Sequence, residues 1–196
     1  MKKLLLSLVL LAGMGLNAGE TEKLSKACSE GNAQSCFKLG EMHDDHGEGV
    51  RKSYAKAIEY YTKACDGNHH DACASLGLIY ELGNGVDKDY SKAAEIYNKA
   101  CNGESGDGCN NLGNLYEHGK GFKEDIKKAE EFYQKACFLQ SGLGCYKLGV
   151  LYYEDLNPYS STSVVKSLFR EACSLGEILG CENFELLQKS YRTFEK

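Results

Sequence analysis

Two serine–lysine pairs have the residue types and the spacing of a nucleophile and its base. They are Ser53-Tyr54-Ala55-Lys56 and Ser163-Val164-Val165-Lys166. In acyl-transfer enzymes with a Ser-x-x-Lys motif, the lysine helps to activate the serine hydroxyl. Those enzymes also carry Ser-Asp-Asn and Lys-Thr-Gly segments, and neither occurs in this chain. Ser53 is more simply a helix N-cap and Lys56 a solvated lysine, so we keep these two residues only as catalytic candidates.

Two histidine clusters could in principle bind a metal ion. His43-Asp44-Asp45-His46 places two imidazoles three residues apart, and His69-His70-Asp71 lies between two cysteines. A zinc site needs closely spaced Cys-x2-Cys pairs or a quartet of Cys and His ligands, and the sequence has neither. We interpret His43 as a core or loop residue and the second cluster as an exposed turn. We therefore predict no metal site and no cofactor.

The N-terminal segment is typical of a secretory signal peptide. Lys2 and Lys3 precede an apolar run from Leu4 to Leu16, and small residues follow at Ala18-Gly19. The run is too short and too rich in glycine for a membrane span, and no later segment offers one. We therefore predict a signal peptide at 1–18 and a secreted or periplasmic mature chain. The formal net charge of −5 and the lack of a basic run argue against nucleic acid as a partner.

The ten cysteines are spaced regularly, in pairs whose members are always eight residues apart. The pairs are Cys28–Cys36, Cys65–Cys73, Cys101–Cys109, Cys137–Cys145 and Cys173–Cys181. In an exported chain, this content indicates disulfides rather than metal binding or catalysis. The pairs recur about every 36 residues, and a period of this length is typical of stacked helix-turn-helix units.

A helix with one buried face follows each of the first four pairs. Counted from the second cysteine, offsets three and four are Leu and Gly in four units, as in Leu39-Gly40, Leu76-Gly77, Leu112-Gly113 and Leu148-Gly149. Offset six is apolar, and offset seven is aromatic in three units, with His43 in the first. These offsets share one side of an α-helix, which we name helix A. A glycine that recurs at a buried helical position predicts that a neighbouring backbone approaches closely there.

A second helix, helix B, leads to the first cysteine of the next pair. The two helices are separated by the glycine turns Gly47-Glu48-Gly49, Gly83-Asn84-Gly85 and Gly119-Lys120-Gly121. Helix B has apolar residues at steps of three and four, such as Tyr54, Ala57, Tyr61 and Ala64, matched by Tyr90, Ala93, Tyr97 and Ala100. In the last unit Phe184 and Glu185 replace Leu and Gly, as expected of a capping helix.

These elements resemble a known family. The Leu-Gly-x-x-Tyr, Gly-x-Gly and Tyr-x-Lys-Ala-x-x-Tyr elements resemble Sel1-like repeats, which are relatives of the tetratricopeptide repeat, and the Cys-x7-Cys pairs resemble the helicobacter cysteine-rich protein family. The resemblance implies an all-α, right-handed α/α solenoid of helix-turn-helix repeats. We predict one domain at 19–196, with repeat units at about 36–72, 73–108, 109–144 and 145–180, an N-terminal helix at 20–35 and a C-terminal capping helix at 181–196.

The repeat also predicts how the cysteines pair. Each first cysteine falls in the last turn of a helix B and each second cysteine in the first turn of the next helix A. The hairpin brings the two together, so we predict that every pair closes its own hairpin. In the chain-entropy model, such a short loop gives roughly 2 to 3 kcal/mol of stabilisation per bridge.

The face of helix A opposite the core holds offsets two and five, which vary between units. In tetratricopeptide-like arrays this face lines a concave groove, so the resemblance implies that these residues meet a ligand. They are Lys38 and Glu41, Ser75 and Leu78, Asn111 and Asn114, and Lys147 and Val150. The two asparagines are the most suitable, because an amide both donates to and accepts from a peptide backbone. The alternative is that all eight are merely solvated. The acids at or next to offset eight, Asp44, Glu81, Glu117 and Glu154, repeat with the scaffold, and we expect them to hold the glycine turn.

The repeat and the family resemblance together suggest two alternative functions. The first is an exported, disulfide-rich scaffold, expected to be a monomer, that binds a peptide, a protein terminus or a cell-wall fragment in its groove. The alternative is implied by the family resemblance alone: a penicillin-binding protein that slowly hydrolyses β-lactams, with a peptidoglycan-like or β-lactam-like ligand. No complete catalytic arrangement is evident in the sequence, and Ser53 and Lys56 are its only named candidates.

Overall fold

The computed structural model describes residues 19–44, 51–154 and 162–194, which form ten α-helices and no strand. The predicted signal peptide, the first glycine turn and His46 lie outside these residues. The helices are α1 (19–29), α2 (Ala33–Asp44), α3 (Tyr54–Asp66), α4 (His70–Leu82), α5 (Tyr90–Asn102), α6 (Gly106–Glu117), α7 (Ile126–Phe138), α8 (Gly142–Glu154), α9 (Thr162–Ser174) and α10 (Ile178–Phe194). From α2 onward they alternate between helix A and helix B, which confirms the all-α fold of helical hairpins.

The helices form two compact units, which divide between Asp89 and Tyr90. In unit 1, which holds α1 to α4, α3 packs against both α2 and α4. In unit 2, which holds α5 to α10, each helix packs against the next one along the chain. Within unit 2, two helices A also touch directly, α6 with α8 and α8 with α10. Among the described residues, no helix combines the length and apolar composition that a membrane span needs.

The core of each hairpin uses the predicted apolar positions. On α3, α5 and α7, the buried residues include two alanines and an aromatic ring, such as Ala57, Tyr61 and Ala64 in α3. On helix A the leucine at offset three and the aliphatic residue at offset six are buried, as Leu112 and Leu115 are in α6. Burying each such side chain contributes on the order of 1.5–3 kcal/mol, so each hairpin gains a core of its own.

The recurrent glycine of helix A lies against an aromatic ring of the following helix B, and at Gly113 a backbone carbonyl of that helix is also close, as the sequence predicted. A Cβ on Gly113 would lie 2.9 Å from Cδ1 of Tyr133, and a Cβ on Gly149 would lie 2.7 Å from Cε1 of Phe169. The prediction of a close approach was correct, but the atoms nearest to these glycines belong to aromatic side chains. The ring fills the space that a Cβ would occupy.

Glycines also end several helices. Gly83 follows α4 with a φ of 75°, and Gly119 takes a φ of 59° in the turn after α6, so both glycine turns use the left-handed region as predicted. The predicted N-terminal helix at 20–35 is wrong in its bounds. Gly31 has a φ of 93°, so α1 stops at residue 29 and α2 starts at Ala33. The capping helix α10 likewise starts at Ile178 rather than at 181, after Gly176 with a φ of 88°.

All five predicted disulfides are confirmed. The paired cysteines are Cys28–Cys36, Cys65–Cys73, Cys101–Cys109, Cys137–Cys145 and Cys173–Cys181, with Cα–Cα distances from 4.4 to 4.8 Å. None of the ten cysteines is free. Each bridge ties the last turn of one helix B to the first turn of the next helix A, so the bridges hold consecutive helices together across a short loop.

Candidate functional site

In unit 1, the predicted groove residues lie on α2 and α4. Lys38, Glu41 and Leu78 are exposed, whereas Ser75 is half-buried and hydrogen-bonded to the Tyr61 hydroxyl. Partial burial raises the pKa of the Glu41 carboxyl, against the opposing effect of His69 and Lys38 nearby. Beside Glu41 lies an open recess of about 310 Å³. Its walls include Asp44, Lys52 and Tyr61, so acidic groups dominate this part of the surface.

In unit 2, the predicted groove residues Asn111, Asn114, Lys147 and Val150 are half-buried on α6 and α8. Lys147 Nζ lies 3.7 Å from Glu117 Oε2, and this ion pair joins α8 to α6. Glu117 follows Asn114 by three residues, so the ion pair brings Lys147 to the asparagine side of α6. We name Asn111, Asn114 and Lys147 the amide face.

The side-chain amides of Asn111 and Asn114 are each oriented by a hydrogen bond from a neighbouring residue. Asn110 Nδ2 donates to Asn111 Oδ1 at 3.1 Å, and Lys120 Nζ donates to Asn114 Oδ1 at 3.3 Å. Each carbonyl oxygen already accepts one hydrogen bond, so the amino groups have the larger capacity left for other partners. Asn114 also hydrogen-bonds to the Tyr133 hydroxyl, which uses part of its capacity. Asn111 Nδ2 makes no hydrogen bond to any residue that the structure describes.

Asn110 is a residue that the sequence analysis missed. It is 4% exposed, and its Oδ1 has no hydrogen-bond partner among the described residues. The corresponding positions in the other internal repeats are Phe37, Ala74 and Tyr146. The sequence did contain a signal for Asn110, because this position is aromatic or small in the other repeats. Its amide group holds Asn111 in place from the buried side of the helix.

In two of the repeats, the acid at offset eight accepts a hydrogen bond from a tyrosine hydroxyl. Tyr133 OH donates to Glu117 Oε2 at 2.5 Å, and Tyr61 OH donates to Asp44 Oδ2 at 3.5 Å. Burial, together with the nearby carboxylate, raises the pKa of both tyrosines well above the usual value of 10.0. In the fourth repeat, Phe169 replaces the tyrosine and Tyr153 replaces the acid, so donor and acceptor are lost together.

The serine–lysine pairs sit at the starts of helices B. Ser53 is the N-cap of α3, and its Oγ accepts a hydrogen bond from the backbone N–H of Lys56 at 3.4 Å, which confirms the N-cap interpretation. This contact uses the backbone of Lys56, not its ammonium group. Ser163 is exposed in the first turn of α9, and Lys166 Nζ lies 5.8 Å from the centre of the Phe184 ring. The hydrolysis of β-lactams stays a prediction.

The histidines have structural contacts. His43 is buried on α2 and stacks on Tyr60, in agreement with the core interpretation. His69 is half-buried rather than exposed: its Nδ1 caps α4 through the Ala72 N–H, and its Nε2 lies 3.0 Å from Gln34 Oε1. Gln34 belongs to the preceding disulfide hairpin, so His69 links two consecutive hairpins. Within the described ranges, no three His, Cys, Asp or Glu side chains converge to hold a metal ion.

Comparisons with known proteins agree with this architecture. Among solved structures, the chain is similar to c5321 of uropathogenic Escherichia coli, described as a protective antigen displaying an SLR fold, with 30% identity and a TM-score of 0.76 over 87% of this chain and 36% of that one. It is also similar to Helicobacter pylori cysteine rich protein B, with 35% identity and a TM-score of 0.49 over 64% of this chain and 94% of that one. Among curated proteins, it is similar to cytochrome c oxidase assembly factor 7A of Xenopus laevis, with 36% identity over 59 residues, which are 30% of this chain. The chain therefore spans only about a quarter of that curated relative, 26%, and about a third of the E. coli antigen.

A family model for the Sel1 repeat matches residues 33–69, 70–105, 106–137 and 142–159, which are more than half of the chain. The matched repeats start at the first residues of α2, α4, α6 and α8, three residues before the units counted from the cysteines. Each matched repeat thus begins with a helix A, and the disulfide joins it to the repeat before. The chain belongs to the Sel1-repeat family.

Proposed function

We propose that the chain is an exported, disulfide-braced scaffold that binds an extended peptide through the amide face of unit 2. Sel1-repeat proteins are generally scaffolds for protein interactions. The five disulfides favour an oxidising compartment, because such bonds are rare in the cytosol. The N-terminal sequence pattern favours export by a signal peptide at 1–18.

The observation that carries the proposal is the orientation of Asn111 and Asn114. Their carbonyl oxygens accept hydrogen bonds from Asn110 and Lys120, which leaves the Asn111 amino group and part of the Asn114 amino group for other partners. Residues three apart on a helix are about 4.5 Å apart along its axis, and successive residues of an extended chain are about 3.3–3.6 Å apart. Successive carbonyl oxygens of an extended chain point to opposite sides, so the two amide donors would bind one carbonyl oxygen and a second polar group on the same side of a bound peptide. Lys147 adds a third donor at the same face.

Pre-orientation favours binding, because the side chains are already ordered before the ligand arrives. Ordering a free polar side chain at an interface costs about 0.5–1.5 kcal/mol. Asn110 is buried and Asn111 half-buried, so this cost is largely met on folding. The amide face is therefore suited to hydrogen-bonded recognition of a backbone, with little dependence on the peptide side chains.

The test is to screen extended peptides by fluorescence anisotropy against the oxidised protein and to measure Asn111→Ala/Asn114→Ala with the best binder. Loss of two hydrogen bonds of about 0.5–1.5 kcal/mol each predicts a dissociation constant about tenfold or more higher. The matched control is Asn98→Ala, on the exposed side of α5. Circular dichroism should show unchanged helicity in both variants. If the double variant binds as tightly as the control, the amide face is not the binding surface.

A further inference from the structure

A second polar cavity lies in unit 1. It is an open cleft of about 490 Å³, lined by residues of α1, α2 and α3 and of the segment before α3. Arg51 and Lys56 bring two cationic side chains to it, and Ser53 and Tyr60 bring hydroxyl groups. None of its described lining residues is acidic. In a chain with a net charge of −5, a cleft with this lining is locally cationic.

The segment before the first helix B differs in charge from those before α5 and α7. Arg51-Lys52-Ser53 precedes α3, whereas Asp87-Lys88-Asp89 precedes α5 and Lys123-Glu124-Asp125 precedes α7. The α7 N-cap is Asp125, but the α3 N-cap is the neutral Ser53, and the first turn of α3 has no acidic residue. The N-terminus of a helix carries partial positive charge and favours anions. At α3 this charge adds to that of Arg51 and Lys56, and the described lining offers no anion to balance it.

His43 supplies an independent indication of a ligand. It is only 7% exposed, it lines the cleft, and its Nδ1 lies 3.3 Å from the carbonyl oxygen of Arg51. A carbonyl only accepts hydrogen bonds, so Nδ1 carries the proton and Nε2 is an acceptor. Nε2 has no partner among the described residues. Because His43 lines the cleft, Nε2 is an acceptor that an N–H donor of a ligand can bind there.

We propose that the cleft binds an amide-linked carboxylate, such as the C-terminal end of a peptide. The carboxylate pairs with Arg51 and Lys56, and the Ser53 hydroxyl, whose oxygen already accepts from the backbone, donates its proton to the same group. The neighbouring amide N–H of the ligand donates to His43 Nε2. Tyr60, which stacks on His43 with ring centres 5.6 Å apart, holds the imidazole in place. This site is separate from the amide face and does not depend on it.

The test is isothermal titration of the oxidised full chain with N-acetyl-Gly-Gly and with the same dipeptide as its C-terminal amide. The free acid should bind at least tenfold more tightly than the amide. Arg51→Gln and Lys56→Gln should each weaken binding of the acid about fivefold or more. The matched control is Lys63→Gln, which removes one exposed charge from the same helix at a residue that does not line the cleft. The ring signals of His43 should shift on titration in NMR spectra.

Several results would overturn the proposal: equal binding of acid and amide, no binding at millimolar concentrations, or equal losses in Lys63→Gln and Arg51→Gln. Inorganic phosphate binding as tightly as the acid would also overturn it, because phosphate lacks the N–H that His43 requires. Asn111→Ala/Asn114→Ala should leave binding of the acid unchanged. That comparison separates failure of this site from failure of the amide face.

Discussion

The hydroxyl of Tyr133 donates a hydrogen bond of 2.5 Å to Oε2 of Glu117 and so joins α7 to α6. The same carboxylate oxygen lies 3.7 Å from Nζ of Lys147 on α8, so one acid connects three helices. The ring of Tyr133 is fully buried, and its hydroxyl reaches past the helix A glycine to the acid one turn further along. The hydrogen bond from Tyr133 to Glu117 is thus connected to the amide face, because the same carboxylate pairs with Lys147.

Tyr133→Phe should destabilise the protein. It removes the donor to Glu117 and leaves a half-buried carboxylate with fewer partners, which predicts a loss of about 1–2 kcal/mol in the free energy of unfolding. Urea denaturation followed by circular dichroism measures this change. Tyr153→Phe is the matched control, since Tyr153 is exposed, and its effect should stay within about 0.5 kcal/mol. Equal stability of Tyr133→Phe and Tyr153→Phe would show that the hydrogen bond from Tyr133 to Glu117 does not contribute to the free energy of unfolding.

The buried tyrosines predict how stability depends on alkaline pH. Burial raises the pKa of Tyr61 and Tyr133 above their usual 10.0, so the folded protein keeps both protons at a pH where the unfolded chain loses them. Their contribution to stability is therefore complete below about pH 10 and declines as the pH rises above that value. Absorbance at 295 nm should show a late-titrating group of tyrosines, reduced in Tyr133→Phe. A single titration near pH 10 for all tyrosines would contradict the prediction.

The helices and disulfides could be predicted from the sequence because both depend on spacing. The offsets of Leu112 and Gly113 from Cys109 define one side of a helix whatever lies against it. Which atoms meet that side depends on how the next helix crosses, and spacing does not encode this. The sequence therefore predicted a close approach at Gly113 but could not identify the ring of Tyr133 as the partner.

For the candidate site, likewise, the positions of the residues could be predicted from the sequence, but their contacts could not. Periodicity predicted that Asn111 and Asn114 lie on the variable face of helix A, and in the structure both are half-buried residues of α6. The direction of each amide depends on Asn110 and on Lys120 in the following turn, which are contacts between particular side chains. The cleft beside His43 could not be predicted from spacing, because its lining comes from three helices that meet only in the folded chain.

Gly113→Ala tests which of two opposing effects dominates at the recurrent glycine. Alanine favours an α-helix by about 1 kcal/mol over glycine, so the change would stabilise an exposed helix. Here the new Cβ would lie 2.9 Å from both Cδ1 and Cε1 of Tyr133 and 3.3 Å from the carbonyl oxygen of Ala129. Tyr133 is 0% exposed and hydrogen-bonded at its far end, so the ring has little room to move. Overpacking of this kind costs about 1–3 kcal/mol, and we expect a net loss of stability.

The matched control is Gly19→Ala on α1, where a Cβ would meet nothing within 4 Å. Thermal unfolding of the two oxidised variants should show a lower midpoint for Gly113→Ala and no loss for Gly19→Ala. Displacement of the ring should also weaken the bond from Tyr133 to Glu117, so the late tyrosine titration at 295 nm should move toward pH 10 in Gly113→Ala. A variant as stable as the parent, with its tyrosine titration unchanged, would mean that the ring shifts freely and that the glycine is not required for close packing.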